Sequence, residues 1–201
     1  MSPESRPHFR FRAQTPPGRV LAVLLFGATF VGGCNPITNP AQFVNAEQAF
    51  YVHALTGAPL AFSTAVILPS KAFVRVDGSF SFDIAFDIDA QGNVVLLPAS
   101  VVGVSPTGTH RVGIVKPGGL YDNALTAPTT GYVFDSVTVV GKNEPVIVRA
   151  TEPACGLSLQ PYMHARFVID SLDVPNRAMW GRAVINTNCG LRSLVIGLPT
   201  S

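Results

Sequence analysis

Between Phe80 and Asp89 a large apolar side chain recurs at every second position. Phe80, Phe82, Ile84, Phe86 and Ile88 fall on one face of an extended chain; Ser81, Asp83, Ala85, Asp87 and Asp89 fall on the other. A period of two predicts a strand with one face in a core and a solvated face opposite. Ala90-Gln-Gly-Asn93 reads as the following turn and Val94–Val104 as the returning strand. Pro98 implies an edge or a bulge there, because proline has no N–H to give to a ladder.

The same reading extends along the chain. Ala49–Leu55 predicts a first strand ended by Thr56-Gly-Ala-Pro59, with a short helix from Ala41 as the competing reading. Ala72–Val76 runs into an Asp77-Gly78 turn, and His110–Lys116 ends at Pro117-Gly-Gly119. Tyr121–Pro128 reads as a loop or one irregular turn. Tyr132–Val140 alternates as one strand and turns through Gly141-Lys-Asn-Glu144 into Val146–Thr151. His164–Val174 and Ala178–Ile185 flank Pro175-Asn176-Arg177, a hairpin pattern. Leu191–Leu198 reads as a last strand. About nine or ten short strands without a long amphipathic helix predict an all-β fold, an antiparallel β-sandwich, with a small closed barrel as the alternative.

One segment breaks the pattern. Val20 to Val31 is continuously apolar or small, preceded by Arg6, Arg10, Arg12 and Arg19 against the single acid Glu4, and followed by Gly32-Gly33-Cys34. A basic head, a short apolar core and small residues before a cut form the layout of a secretory signal. The core is about half the length that spans a bilayer as a helix, and no basic stop-transfer flank follows it.

Val31-Gly32-Gly33-Cys34 resembles the lipobox of bacterial lipoproteins, with valine where leucine is usual. The resemblance implies that Cys34 carries diacylglycerol on its thiol, that residues 1–33 are removed as a signal peptide, and that the new amine is acylated. It places the protein in the bacterial cell envelope, held to a membrane through the lipid on Cys34. Asn35 is not the aspartate that commonly retains such proteins at the inner membrane, which favours the outer one. Beyond this, the body resembles, in general character only, the uncharacterised β-rich lipoproteins of bacterial envelopes. Residues 34–47, broken by Pro36 and Pro40, read as lipidated cysteine and tether, and 48–201 as a single β domain.

That assignment changes two other readings. The chain carries 14 basic and 12 acidic residues. Removing four arginines and one glutamate with the leader leaves ten against eleven, a net charge near −1. The basic balance belongs to the export signal and is no nucleic-acid footprint. Of three cysteines, a lipidated Cys34 leaves Cys155 and Cys189 to pair as a disulfide in an oxidising compartment.

Candidate chemistry is sparse. Asp87-Ile-Asp89-Ala-Gln91-Gly92 matches the opening of an EF-hand loop, but the twelfth position is Pro98, which supplies no carboxylate, so a solvated strand face running into a turn is the better reading. No metal site or cofactor is expected. His53, His110 and His164 lack the spacing of a zinc site. No G-x-S-x-G elbow occurs, and a hydrolase would need a histidine to meet a carboxylate and a serine in space. Trp180 with Tyr51, Tyr121, Tyr132 and Tyr162 offers material for a stacking platform for sugars or peptides, against ordinary packing. The leading expectation is therefore a non-catalytic structural or interaction module. A glycan- or small-ligand-binding sandwich using Trp180 is the alternative, and an envelope hydrolase ranks third. An envelope protein or a glycan is the expected partner class.

Overall fold

The computed structural model describes residues 40–76, 81–103, 110–156, 158 and 160–199. Within them the protein is all-β, with eleven strands. They are β1 (Glu47–His53), β2 (Ala65–Ile67), β3 (Ala72–Val74), β4 (Ile84–Ile88), β5 (Val94–Pro98) and β6 (Val112–Val115). β7 (Val133–Phe134), β8 (Thr138–Val140), β9 (Val146–Thr151), β10 (Tyr162–Asp173) and β11 (Ala178–Asn186) follow. Two antiparallel sheets form, in the orders β1-β11-β10-β9-β6-β7 and β3-β2-β4-β5-β8, and neither closes into a barrel. The architecture is a β-sandwich.

Its core lies between the sheets. Phe50, Val52, Phe167, Ile169, Met179 and Ile185 of the first sheet meet Val66, Ile84, Phe86, Ile88, Val94 and Leu96 of the second. Each set comes from alternate positions of its strands, as a sandwich requires. Phe50 stacks on Phe73 at 4.6 Å and meets the edge of Phe167 at 6.2 Å, so aromatic contacts join the sheets at one side.

Several expected strands are trimmed or divided. The strand read from Phe80 begins at Ile84; Phe80 and the Asp77-Gly78 turn lie outside the described residues. Phe82 leaves the expected face and packs with Ala65, Ala85 and Ala99 on the other side of the second sheet. That side is not solvated, since Asp83 and Asp87 are buried. Pro98 sits at the end of an interior strand, where the chain turns into a single 3-10 turn at Ala99–Val102, so it terminates the ladder instead of marking an edge. Tyr132–Val140 is two strands in different sheets. The chain breaks at Asp135, whose φ of 50° is sustained by carboxylate bonds from Ser100 and Arg111. Leu191–Leu198 is no strand but a tail with two isolated bridges, Thr126–Ser193 and Asn45–Gly197.

Three asparagines hold that tail. Asn45 Nδ2 donates to the carbonyls of Ser193 and Val195, and Asn186 Nδ2 to those of Leu191 and Ser193. Asn188 Oδ1 accepts from the amides of Gln42 and Phe43. Cys155 and Cys189 are joined by a disulfide, which ties the chain after β9 to the start of the tail. With the loop through Ala124 and Ala127, the tail covers one part of the first sheet's outer face, burying Ile147 and Leu194.

Candidate functional site

Elsewhere on that face, around the pairing of β1 with β11, aromatic residues gather, with His53 itself buried among them. β1 pairs with β11 so that Tyr51 lies directly opposite Trp180. Directly opposed side chains share a face, and these two rings sit 4.8 Å apart. His53, two residues on, shares the face; its ring lies 4.9 Å from Tyr51 and its Nε2 is 3.1 Å from the Tyr51 hydroxyl. The loop after β1 folds back, with the His53 amide donating to the Ser63 carbonyl, and lays Phe62 on the imidazole at 4.0 Å, nearly parallel. Trp180, Tyr51, His53 and Phe62 thus make one continuous run of rings. Trp180 is 41 % exposed, Tyr51 47 % and Phe62 42 %.

A bulge in β10 keeps the indole open. Ile169 faces Gly181 and Ser171 faces Trp180, so Asp170 is the extra residue. Asp170 accepts from Nε and Nη2 of Arg182, and small Ser171 is left opposite the tryptophan. Gly181 makes room beneath: a Cβ there would collide with the Val168 carbonyl and the Phe50 ring.

The ring run borders a cleft of about 450 Å³ between the β10–β11 turn and the loop after β1, lined by Tyr51, His53, Phe62, Asp173, Asn176 and Arg177 among others. The Asp173 carboxylate accepts from the Asn176 amide and side chain, which hold it below the usual carboxylate range. Two accepted bonds leave lone pairs for further donors. Arg177 takes φ 52° and donates through Nη2 to Asp87 Oδ1 at 2.8 Å, to the Ile88 carbonyl and to Thr56 Oγ1. It clamps the hairpin turn of one sheet to β4 of the other. Gly57 lets it pass, since a Cβ there would lie 2.9 Å from Arg177 Cδ. Replacing Arg177 by methionine leaves the buried Asp87 charge short of its cation. The expected loss is about 2 kcal/mol, read as a lower urea midpoint at unchanged slope.

The other residues singled out in sequence lie elsewhere. Tyr121 is buried under Arg166 and Arg182, and Tyr132 and Tyr162 flank Arg149. Only Tyr51 joins Trp180. His110 Nε2 is 2.9 Å from Asp83 Oδ1, and that bond raises its pKa against the opposing effect of burial. His164 is buried, with Nδ1 3.1 Å from the Leu191 carbonyl. The three histidines occupy three separate places, and among the described residues no serine hydroxyl bonds any of them. Asp87 is committed to Arg177 and Thr56, and Asp89 accepts from Gln91 and Asn93 within its turn. Among the described residues no three His, Cys, Asp or Glu side chains converge as a metal site. No helix among them is long and apolar enough to cross a membrane.

Phe62, Asp173 and Arg177 had no place in the sequence reading of a site. Tyr51 and His53 carried one legible signal, their spacing of two on a strand. No protein-family model, curated protein or solved structure matches the chain.

Proposed function

We propose that this chain is a lipid-anchored protein of the bacterial envelope whose sandwich is a non-catalytic recognition module for carbohydrate. The observation that carries the binding reading is the unbroken ring run of Trp180, Tyr51, His53 and Phe62 beside a cleft edged by Asp173 and Asn176. Aromatic faces take the C–H faces of sugar rings, and a carboxylate and amide at the rim take hydroxyl donors. A shallow strip with a few convergent polar groups suits a chain of sugars better than an enclosed small molecule. The anchor reading rests on the basic head, apolar core and Val31–Cys34 motif, and a disulfide is in keeping with an exported domain.

The test has two arms. Mass spectrometry of the protein from a bacterial host is expected to find an acylated Cys34 at the N-terminus; an unmodified N-terminus at another residue would contradict the anchor. On a glycan array the wild type is expected to retain a subset of glycans, and Trp180→Ala to lose them while melting at nearly the wild-type temperature. Binding that survives both Trp180→Ala and Tyr51→Ala would place recognition elsewhere. An array with no retained glycan leaves a structural or protein-interaction role in its place.

A further inference from the structure

The end of the fold where the chain enters carries a second apolar surface. Asn45 and Gly197 form a two-way antiparallel bridge with Asn45 fully buried, so Val44, Ile196 and Leu198 point outward on the opposite side. Val44 and Ile196 are each 59 % exposed and Leu198 60 %, and Phe43 and Val195 beside them are exposed as well. Exposed large apolar residues gathered at one place signal contact with something apolar. The asparagine network described above builds this surface, since Asn45 and Asn188 fix the backbone around Val44 and Ile196. The Lys71 ammonium lies at its edge, 3.3 Å from the Val44 carbonyl.

The length of chain to Cys34 says what covers it. The Gln42 amide is already bound by Asn188, so only residues 35–41 separate Cys34 from the fixed fold. Fully extended, that stretch reaches about 28 Å. A patch adjoining Phe43 is thus confined to the neighbourhood of any membrane that holds Cys34. We infer that Val44, Ile196 and Leu198 rest in the headgroup boundary of the bilayer in which the Cys34 acyl chains are buried. This inference rests on the lipid-anchor reading. Apolar side chains at that boundary add to the hold of the lipid, and Lys71 complements anionic headgroups. The ring run lies at the opposite end of β1. From Asn45 to His53 the strand rises about 26 Å. Membrane contact at one end therefore directs the recognition surface away from the bilayer.

Trp180 is the sole tryptophan, which makes the arrangement measurable. The full chain is produced in a bacterial host and reconstituted into vesicles of phosphatidylethanolamine and phosphatidylglycerol with dibrominated acyl chains, which quench indole on contact. A chain carrying Trp180→Phe and Ile196→Trp is expected to lose most of its emission, and wild type to keep nearly all. Acylated Cys34 by mass with no quenching of the tryptophan at position 196 overturns the contact and leaves the anchor standing. An unmodified Cys34, with protein absent from the vesicle fraction, overturns the anchor and this inference together. A Cys34→Ser chain that dimerises in solution and becomes monomeric with Ile196→Asp assigns the patch to a second copy instead.

Discussion

Reduction of the Cys155–Cys189 disulfide lowers the stability of the domain by about 4 kcal/mol on the chain-entropy account of a 34-residue separation. The bridge restrains the unfolded ensemble, and in the folded state it ties the end of β9 to the tail whose Leu194 is buried with Ile147. Both effects act in one direction. Urea unfolding with and without dithiothreitol is expected to show the midpoint fall under reduction. The chain with both cysteines replaced by alanine should match the reduced wild type and stop responding to dithiothreitol. Coincident curves for oxidised and reduced wild type would remove the bridge from the account of stability.

The second large effect is acid sensitivity from His164. Burial, reinforced by the Arg149 and Arg192 charges and opposed by the Leu191 carbonyl, lowers its pKa from 6.5 to about 4. The folded protein therefore keeps the imidazole neutral where the unfolded chain protonates it. Its contribution is fully present above pH 6.5 and is lost as pH falls from there toward 4. At about 1.4 kcal/mol per pKa unit the loss comes to about 3 to 4 kcal/mol. His110 works the other way: its raised pKa contributes stability below pH 6.5 that disappears as pH rises through the folded value. The two histidines therefore act in adjoining windows, His164 below pH 6.5 and His110 above it. In His164→Gln the acid loss between pH 6.5 and 5 is expected to vanish, a window chosen above the titration of Asp135 and Glu144, whose pKa values are lowered. An unchanged slope in that variant would show that His164 is not kept neutral.

Alternation made the fold class legible, because a sandwich buries one side of a strand such as β1, although β10 and β11 are buried on both faces over most of their length. The misreadings have identifiable physical causes. An alternating strand is normally half exposed, which predicts a solvated Asp83 and Asp87, but His110 and Arg177 bond them from distant positions in the chain. Tyr132–Val140 looked continuous because no glycine or proline interrupts Val133–Val140; the break is Asp135 in a left-handed conformation that Ser100 and Arg111 sustain. Trp180 was readable as a candidate from its residue type alone. Its partners were not, since the pairing of Tyr51 with Trp180 depends on a register between strands more than a hundred residues apart. Phe62 enters through a loop whose course no local pattern announces.

If the Trp180 face takes carbohydrate, as we propose, the indole itself reports the binding. Titration of the wild type with an oligosaccharide drawn from the array, followed by tryptophan emission, is expected to give a saturable shift and intensity change. Tyr51→Ala should weaken that response, and heat-denatured protein should abolish it. Saturation with a bound glycan that leaves Trp180 emission unaltered would contradict the claim.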